Sequence, residues 1–151
     1  MCSSDLARVS GPLLDRIDLQ IEVPSVSAAD LVLPAAIEGS DEVRARVTAA
    51  RDRQRARFAS LGVAGLGSRG PRTNADCSGH LLEQIAMPDE TGVALLRQAA
   101  DKLQLSARGF HRTLKVARTL ADLDAVDKVS RGHIAEALSY RAEVLRQSRA
   151  A

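Results

Sequence analysis

An arginine between two aspartates is the feature of this sequence best suited to chemistry. Arg16 follows Asp15 and precedes Asp18 in a stretch, residues 10–18, that reads SGPLLDRID. A neighbouring carboxylate can fix the guanidinium, whose planar fork can then meet two oxygens of a phosphate at once. An isolated Arg-Ile-Asp would indicate an ordinary surface ion pair, whereas this longer stretch favours a phosphate contact.

A β-strand is expected to position this arginine. Apolar and polar residues alternate from Ile17 to Val23, and Pro24 follows. A period of two residues is typical of a half-buried strand, and proline ends strand pairing because it has no N–H to donate. Arg16 would then lie at the mouth of the strand and project outward.

Residues 10–18 resemble the end of the AAA+ core in magnesium-chelatase-like ATPases of the ComM/YifB family. The pattern there is S-x-P-L-L-D-R-x-D, which is similar to the S-R-F-D of MCM helicases. The resemblance implies that Arg16 is a catalytic arginine finger acting in trans on the nucleotide of the adjacent subunit. Such a cation stabilises charge on the γ-phosphoryl oxygens and is worth roughly 10³–10⁵ in rate in other NTPases.

Two further arginines lie in a predicted helix over residues 105–123. Its one apolar face holds Phe110, Leu114, Ala117 and Ala121, and Ser106 is the expected cap. Arg108 and Arg112 are one turn apart, so they project together. A cation near a helix start opposes the dipole, so a bound anion explains it better than helix stability does. The alternative is two solvated arginines.

The same segment resembles the family's C-terminal pattern L-S-A-R-x-x-x-R-x-L-x-V-A-R-T-I-A-D-L, and it is similar to the sensor-2 helix of MCM-type ATPases. The resemblance implies that Arg112 is the sensor-2 arginine at the ATP phosphates, with Arg108 as the second choice. A weaker match is Asn74-Ala75, since an Asn-Ala pair recurs in the family where Asn74 would cap the next helix.

A helix is predicted to begin at Ser40, whose hydroxyl is its expected cap, and this helix is rich in arginine. Its stripe of Val43, Val47, Ala50, Phe58 and Leu61 is interrupted by Gln54, and six arginines lie between positions 44 and 57. Either these arginines form a solvated face, or they follow a DNA phosphate backbone with salt-dependent affinity. The candidate DNA contacts are Arg44, Arg51 and Arg55, and the sequence leaves both interpretations open.

Two ATPase motifs are missing from the sequence. It contains neither a G-x-x-x-x-G-K-[ST] loop nor an apolar strand ending in paired acids. Residues 65–70 match G-x-G-x-x-G, but they follow a helical pattern and precede Pro71, so we interpret them as a loop. We therefore expect a C-terminal fragment that cannot hydrolyse ATP alone. ATP and Mg²⁺ would bind the full-length protein, and neither would bind this fragment by itself.

Composition favours a helical protein. Of the 151 residues 45% are hydrophobic but only 2% aromatic, so Ala and Leu must fill the core, and the net charge is only +2. Cys2 and Cys77 suggest no disulfide framework, and no metal site is expected because Cys77-x-x-His80 lacks a second ligand pair. His80, His111 and His133 are interpreted as structural. Without a signal peptide or an apolar run of ~20 residues, we expect a cytoplasmic protein.

The predicted fold is mainly α: the last β-strand of an AAA+ α/β core, followed by a C-terminal helical lid bundle. Residues 1–8 are interpreted as a non-family or artefactual leader, and residues 9–24 as the end of the core, with the arginine-finger turn and the last core strand. Residues 25–73 form a connector with the basic helix and a loop, and residues 74–147 the lid domain. Lid helices are expected to carry Leu81, Leu82 and Ile85, to restart at Asp89 or Thr91, and to open at Ser130.

The resemblance implies a ring of identical subunits, expected to be a hexamer, with DNA as a partner and no membrane. The leading hypothesis is a DNA branch-migration helicase of natural transformation and recombination. One alternative is the motor subunit of a magnesium or cobalt chelatase. Another is a stand-alone helical interaction module without ATPase activity.

Overall fold

In the computed structural model, the described residues are 16–21, 23–28, 30–32, 34, 38–63 and 70–141. Within these ranges the chain forms five α-helices: α1 (Ser40–Ser60), α2 (Gly79–Ala86), α3 (Glu90–Leu103), α4 (Ala107–Leu123) and α5 (Arg131–Ser139). Two short 3₁₀ turns, Asp30–Val32 and Asn74–Asp76, precede α1 and α2 respectively. The mainly α fold class predicted from composition and periodicity is confirmed.

Helix α4 is the centre of the bundle, because α1, α2 and α5 all pack against it. Its predicted face is confirmed: Leu114, Ala117 and Ala121 are buried and Phe110 is partly buried. The alanines let neighbouring helices approach closely, which explains how a core with few aromatics can still be well packed. Each buried leucine contributes about 1.5–3 kcal/mol.

Side-chain caps fix where the helices begin. The Ser106 hydroxyl accepts a hydrogen bond from the Gly109 N–H at 2.9 Å, and Asp89 Oδ1 accepts from the Gly92 N–H at 2.7 Å. Both caps agree with the prediction. Gly92 is also required sterically, since a Cβ there would lie 2.7 Å from the Cβ of Pro88.

Two other predicted caps are wrong. Before α1, the side chain of Glu42 accepts a hydrogen bond from the Gly39 N–H at 3.0 Å, and Ser40 is already helical. Thr73 caps the 3₁₀ turn before α2, whereas Asn74 is buried and serves another purpose described below. In both places a side chain two or three residues away accepts a backbone hydrogen bond instead: Glu42 from the Gly39 N–H and Thr73 from the Ala75 N–H.

Helix α1 belongs to the bundle through its second half. Ala50, Gln54 and Phe58 are buried, while Val43 and Val47 on the same stripe remain exposed. Gln54 does not interrupt the buried stripe as expected, because its side-chain oxygen accepts a hydrogen bond from Arg51 at 3.3 Å. The first half of α1 therefore extends beyond the packed core.

The strand expected over Ile17–Val23 is not formed in the described residues. Residues 16–21 and 23–28 lack strand pairing, and the apolar row is exposed, from 39% at Ile17 to 82% at Val23. No neighbouring strand exists in these ranges, so the alternation has no sheet to cover it. The segment instead attaches to the end of α5: the Gln20 N–H donates to the Tyr140 carbonyl at 2.8 Å, and Arg141 Nη1 donates to the Ile17 carbonyl at 3.3 Å.

The remaining sequence features fall partly outside the described ranges. Residues 1–15 lie there, as do five of the six Gly-rich positions at 65–70, so the structure does not bear on them. Among the helices of the described ranges, none has the length and apolar character needed to cross a membrane.

Candidate phosphate-binding cleft

A cleft of about 420 Å³ opens between the first half of α4 and the chain that leads into α2. Its charged lining consists of three cationic side chains, Arg108, Arg112 and Lys115, and one carboxylate, Asp18. The other lining residues are Ala75, Cys77, Ser78, Leu82, Ala107 and His111. The electrostatic character of the cleft is that of an anion site.

Helix geometry explains why these cations share one surface. Arg108, Arg112 and Lys115 are separated by four and three residues, so they lie on one face, away from the buried stripe that holds Leu114 and Ala117. This face includes the first turn of α4, where the helix dipole adds partial positive charge. The predicted projection of Arg108 and Arg112 together is consistent with this cleft.

Arg112 forms an ion pair with Asp18. Its Nη1 donates to Asp18 Oδ1, although the two residues are 94 positions apart in the sequence. The Arg112 side chain is 24% exposed and that of Asp18 is 40% exposed. Because both groups remain in contact with water, the pair is of the kind that contributes little to stability and exchanges readily.

The ion pair brings the two sequence-predicted arginine segments together. Arg16 lies two residues before Asp18, in an exposed turn, and Asp18 contacts Arg112 directly. Asp15, the other carboxylate expected beside Arg16, lies outside the described residues. Residue spacing alone does not indicate that the second aspartate of the Arg16 motif contacts α4.

Lys115 and Cys77 contribute to the structure of the cleft. Lys115 Nζ donates to the Ala75 carbonyl at 2.7 Å, which fastens α4 to the turn before α2. Cys77 is fully buried, and this burial raises the pKa of its thiol, so the neutral form is favoured at physiological pH. Within the described ranges no group of three His, Cys, Asp or Glu residues could hold a metal ion.

His133 has the structural role predicted for it. Its Nδ1 accepts a hydrogen bond from the Ser130 N–H at 2.9 Å, and its Nε2 lies 3.1 Å from Asp124 Oδ2. The imidazole thus satisfies a backbone donor at the start of α5, which begins where the sequence indicated.

A second charged cluster, which the sequence analysis missed, is buried toward the C-terminal end of α4. Arg118 Nη2 lies 2.9 Å from Asp122 Oδ1, and the side chains are 1% and 0% exposed. Arg57 of α1 also donates to both oxygens of Asp122. Asn74 Nδ2 donates to Asp122 Oδ2 at 2.8 Å and to Thr119 Oγ1 at 3.1 Å.

This cluster is structural. Arg118 also donates to the carbonyls of Val126 and Asp127, which ties the link between α4 and α5 to α4 itself. Burial lowers the pKa of Arg118, and the nearby Asp122 carboxylate opposes that shift. The available signal was the spacing: Arg118 and Asp122 are four residues apart, with Arg118 four residues after the core residue Leu114.

The arginines of α1 have varied partners. Arg44 contacts Asp41 at 2.8 Å and Arg55 contacts Asp52 at 2.7 Å, both on exposed surface. Arg46 contacts Glu38 at 2.5 Å, Arg53 lies 3.8 Å from Asp127, and Arg51 donates to Gln54. With Arg57 buried against Asp122, the candidate DNA contacts Arg44, Arg51 and Arg55 lie on a helix whose charge is partly neutralised.

Comparison with known proteins places this bundle among its relatives. Residues 37–141 match the protein-family profile described as "Magnesium chelatase, subunit ChlI C-terminal". The chain is 37% identical over 140 residues to the competence protein ComM of Haemophilus influenzae. That match covers 92% of this chain and 25% of the relative.

Two further relatives carry the name YifB. The protein from Salmonella typhimurium is 38% identical over 138 residues, and that from Escherichia coli is 39% identical over 140 residues. Each match covers 91% of this chain and 25% of the relative, so the chain spans about a quarter of the length of these proteins. The chain belongs to the magnesium chelatase subunit ChlI C-terminal family, and it corresponds to the C-terminal part of ComM- and YifB-like proteins.

Proposed function

We propose that this chain is the C-terminal part of a ring-forming AAA+ ATPase, and that it supplies arginines to nucleotide phosphates. The observation that carries the proposal is the cleft on α4, where Arg108, Arg112 and Lys115 surround one space beside the Arg16 segment. Three cations and a single carboxylate line this cleft, so it retains attraction for a further anion.

The residues fit a phosphate better than a metal ion. Guanidinium groups bind phosphate oxygens with two parallel hydrogen bonds, and the first turn of α4 adds its dipole. A divalent cation such as Mg²⁺ requires several oxygen ligands, whereas the cleft offers one carboxylate among three cations. Mg²⁺ and the loop that cradles ATP would therefore come from other parts of the full-length protein.

Each arginine has its own role in this proposal. Arg112, assisted by Arg108, senses the phosphates of ATP when the helical bundle closes as a lid. Arg16 completes the site of the neighbouring subunit and stabilises the charge that develops on the γ-phosphoryl oxygens. Hydrolysis would then require assembly into a ring, which we expect to be a hexamer of identical subunits in the cytoplasm.

The work done by the ring is proposed to be branch migration of DNA during natural transformation. The support is the 37% identity to a protein named for competence, together with the arginines of α1. A second candidate is the motor subunit of a metal chelatase, which the name of the matched family favours. The fold is shared, so it does not decide between them.

The test is ATP turnover by the full-length protein. Arg16→Ala should lower turnover by roughly 10³-fold or more while nucleotide binding is retained, because the finger acts on the transition state. Arg97→Gln, which removes an exposed cation from α3, is the matched control and should leave turnover unchanged. Undiminished turnover in the Arg16 variant would remove this residue from the site.

The same turnover assay distinguishes the DNA motor from the chelatase motor. Turnover stimulated by DNA supports the DNA motor, whereas turnover indifferent to DNA but raised by a chelatase partner supports the second candidate. If α1 follows the DNA backbone, changing Arg44, Arg51 and Arg55 to Gln should reduce the salt dependence of DNA binding. An unchanged salt slope would exclude phosphate contacts by these arginines.

A further inference from the structure

We propose that Asp18 is a gate on Arg112: its carboxylate holds the guanidinium until a nucleotide phosphate displaces it. Displacement then weakens the attachment of the segment that carries Arg16. This inference rests on the proposed function, because it assigns a regulatory role within the same cleft. In this scheme, nucleotide binding at Arg112 and the placement of the arginine finger are coupled through the Asp18–Arg112 ion pair.

The first step is that Asp18 and a phosphate would compete for the same group. Asp18 is the single carboxylate among the described residues that line the cleft, and it contacts the central cation of the three. A carboxylate and a phosphate both bind a guanidinium through the same N–H donors. One guanidinium therefore cannot make all of its hydrogen bonds to both ligands at once. Arg112 therefore has to leave Asp18, at least in part, to reach a phosphate.

The second step is that the exchange is physically easy. The side chains are 24% and 40% exposed, so water already shields the attraction between them. A triphosphate carries more negative charge than one carboxylate, so the three cations of the cleft attract it more strongly than they attract Asp18. The incoming ligand thus has the electrostatic advantage.

The third step links the exchange to Arg16. In the described ranges, the attachments of residues 16–21 to the bundle include the Asp18–Arg112 pair and two hydrogen bonds to the end of α5, at Gln20 and Ile17. The apolar side chains of this segment are largely exposed, so they add little attachment. Loss of the ion pair removes one of these attachments, two residues from Arg16.

A different role for Asp18 predicts the opposite sign. If Asp18 merely orients Arg112 for a phosphate, removing its charge weakens nucleotide binding. If Asp18 competes, removing its charge strengthens binding. The substitution Asp18→Asn keeps the shape of the side chain, and the site is exposed, so the variant should fold.

The experiment measures binding of a slowly hydrolysed ATP analogue, γ-thiophosphate ATP, to the full-length protein. Asp18→Asn should raise the affinity roughly threefold to tenfold, as expected for releasing a partly exposed ion pair. Asp101→Asn removes the same charge from α3, away from the cleft, and should have no effect. In the Arg112→Gln background, Asp18→Asn should not change the affinity for the analogue, because the guanidinium for which Asp18 competes is absent.

Hydrogen exchange of the Gln20 amide supplies a second readout. This N–H donates to the Tyr140 carbonyl at 2.8 Å, so it should exchange faster when the segment is released. We expect faster exchange on addition of the analogue to the wild type, and in Asp18→Asn without the analogue. Unchanged exchange in both would overturn the link to the Arg16 segment.

The outcomes separate this inference from the proposal on which it rests. Weaker or equal binding by Asp18→Asn, with weakened binding by Arg112→Gln, overturns the gate and leaves the phosphate role of Arg112 intact. Binding by Arg112→Gln as tight as the wild type overturns the phosphate role and the gate together.

Discussion

Helix α4 contributes the arginine to two arginine–aspartate pairs that differ in burial and in sequence separation. Arg118 and Asp122 are buried, four residues apart on one helix, and joined by Arg57 and Asn74. Arg112 and Asp18 are partly exposed and 94 positions apart, and they line an open cleft. The comparison teaches that burial, and not residue type, decides whether such a pair fixes the fold or remains available for a ligand.

The largest expected effect is at the buried pair. Asp122→Asn removes the charge that balances Arg118 and Arg57, and breaking such a pair costs about 3–5 kcal/mol. The free energy of unfolding of the chain, measured with denaturant, should fall by that amount. Asp127→Asn, at a carboxylate that is 98% exposed, is the control and should change the free energy by less than about 0.5 kcal/mol. Equal effects of the two would refute the structural role of the buried cluster.

A smaller loss of stability is expected at Asn74. Its amide donates to Asp122 and Thr119, so Asn74→Ala leaves a buried carboxylate with one donor fewer. The expected loss is about 1–3 kcal/mol in the free energy of unfolding. If the double variant with Asp122→Asn loses the full sum of the single losses, the two residues are not coupled and the cluster is not a network.

Asp76 shows a third way to hold a carboxylate, by backbone donors. Hydrogen bonds from the Arg72 and Thr73 N–H groups, both at 2.9 Å, lower the pKa of Asp76. A lowered pKa in the folded state contributes stability above the unfolded pKa of about 4, and that stability is lost as pH falls through the folded value. Asp76→Asn should therefore destabilise the chain at pH 7 by no more than about 1 kcal/mol, because water screens the exposed carboxylate, and by less as the pH falls below 4. A pH-independent difference in stability would contradict this assignment.

The smallest effect on stability is expected at the exposed pair. Asp18→Asn should change the free energy of unfolding by less than about 1 kcal/mol, since water screens the pair. Any loss should shrink further as salt is raised from 0.05 to 0.5 M, because the Debye length falls well below 10 Å. A loss as large as that of Asp122→Asn would make this pair structural and would remove the contrast.

The sequence predicted the features that depend on local spacing. The apolar period of α4, the caps at Asp89 and Ser106 and the projection of Arg108 with Arg112 require only residues within a few turns. The family pattern was identified from the same short stretches, and comparison with relatives confirmed it.

The features that sequence reasoning missed depend on partners far along the chain. The strand at Ile17–Val23 requires a neighbouring strand that the described residues do not contain, so alternation alone was misleading. Arg57 was grouped with surface arginines because nothing near it indicates Asp122, 65 positions later. The Asp18–Arg112 contact likewise arises only when the bundle brings both segments together.

The central claim is that Arg112, the exchangeable arginine of α4, contacts nucleotide phosphates. The most direct measurement is the affinity of the full-length protein for γ-thiophosphate ATP in Arg112→Gln and Arg97→Gln, side by side. Loss of one charge-assisted hydrogen bond predicts a decrease of roughly tenfold to a hundredfold for Arg112→Gln and no change for Arg97→Gln. Equal affinities in the two variants would contradict the claim.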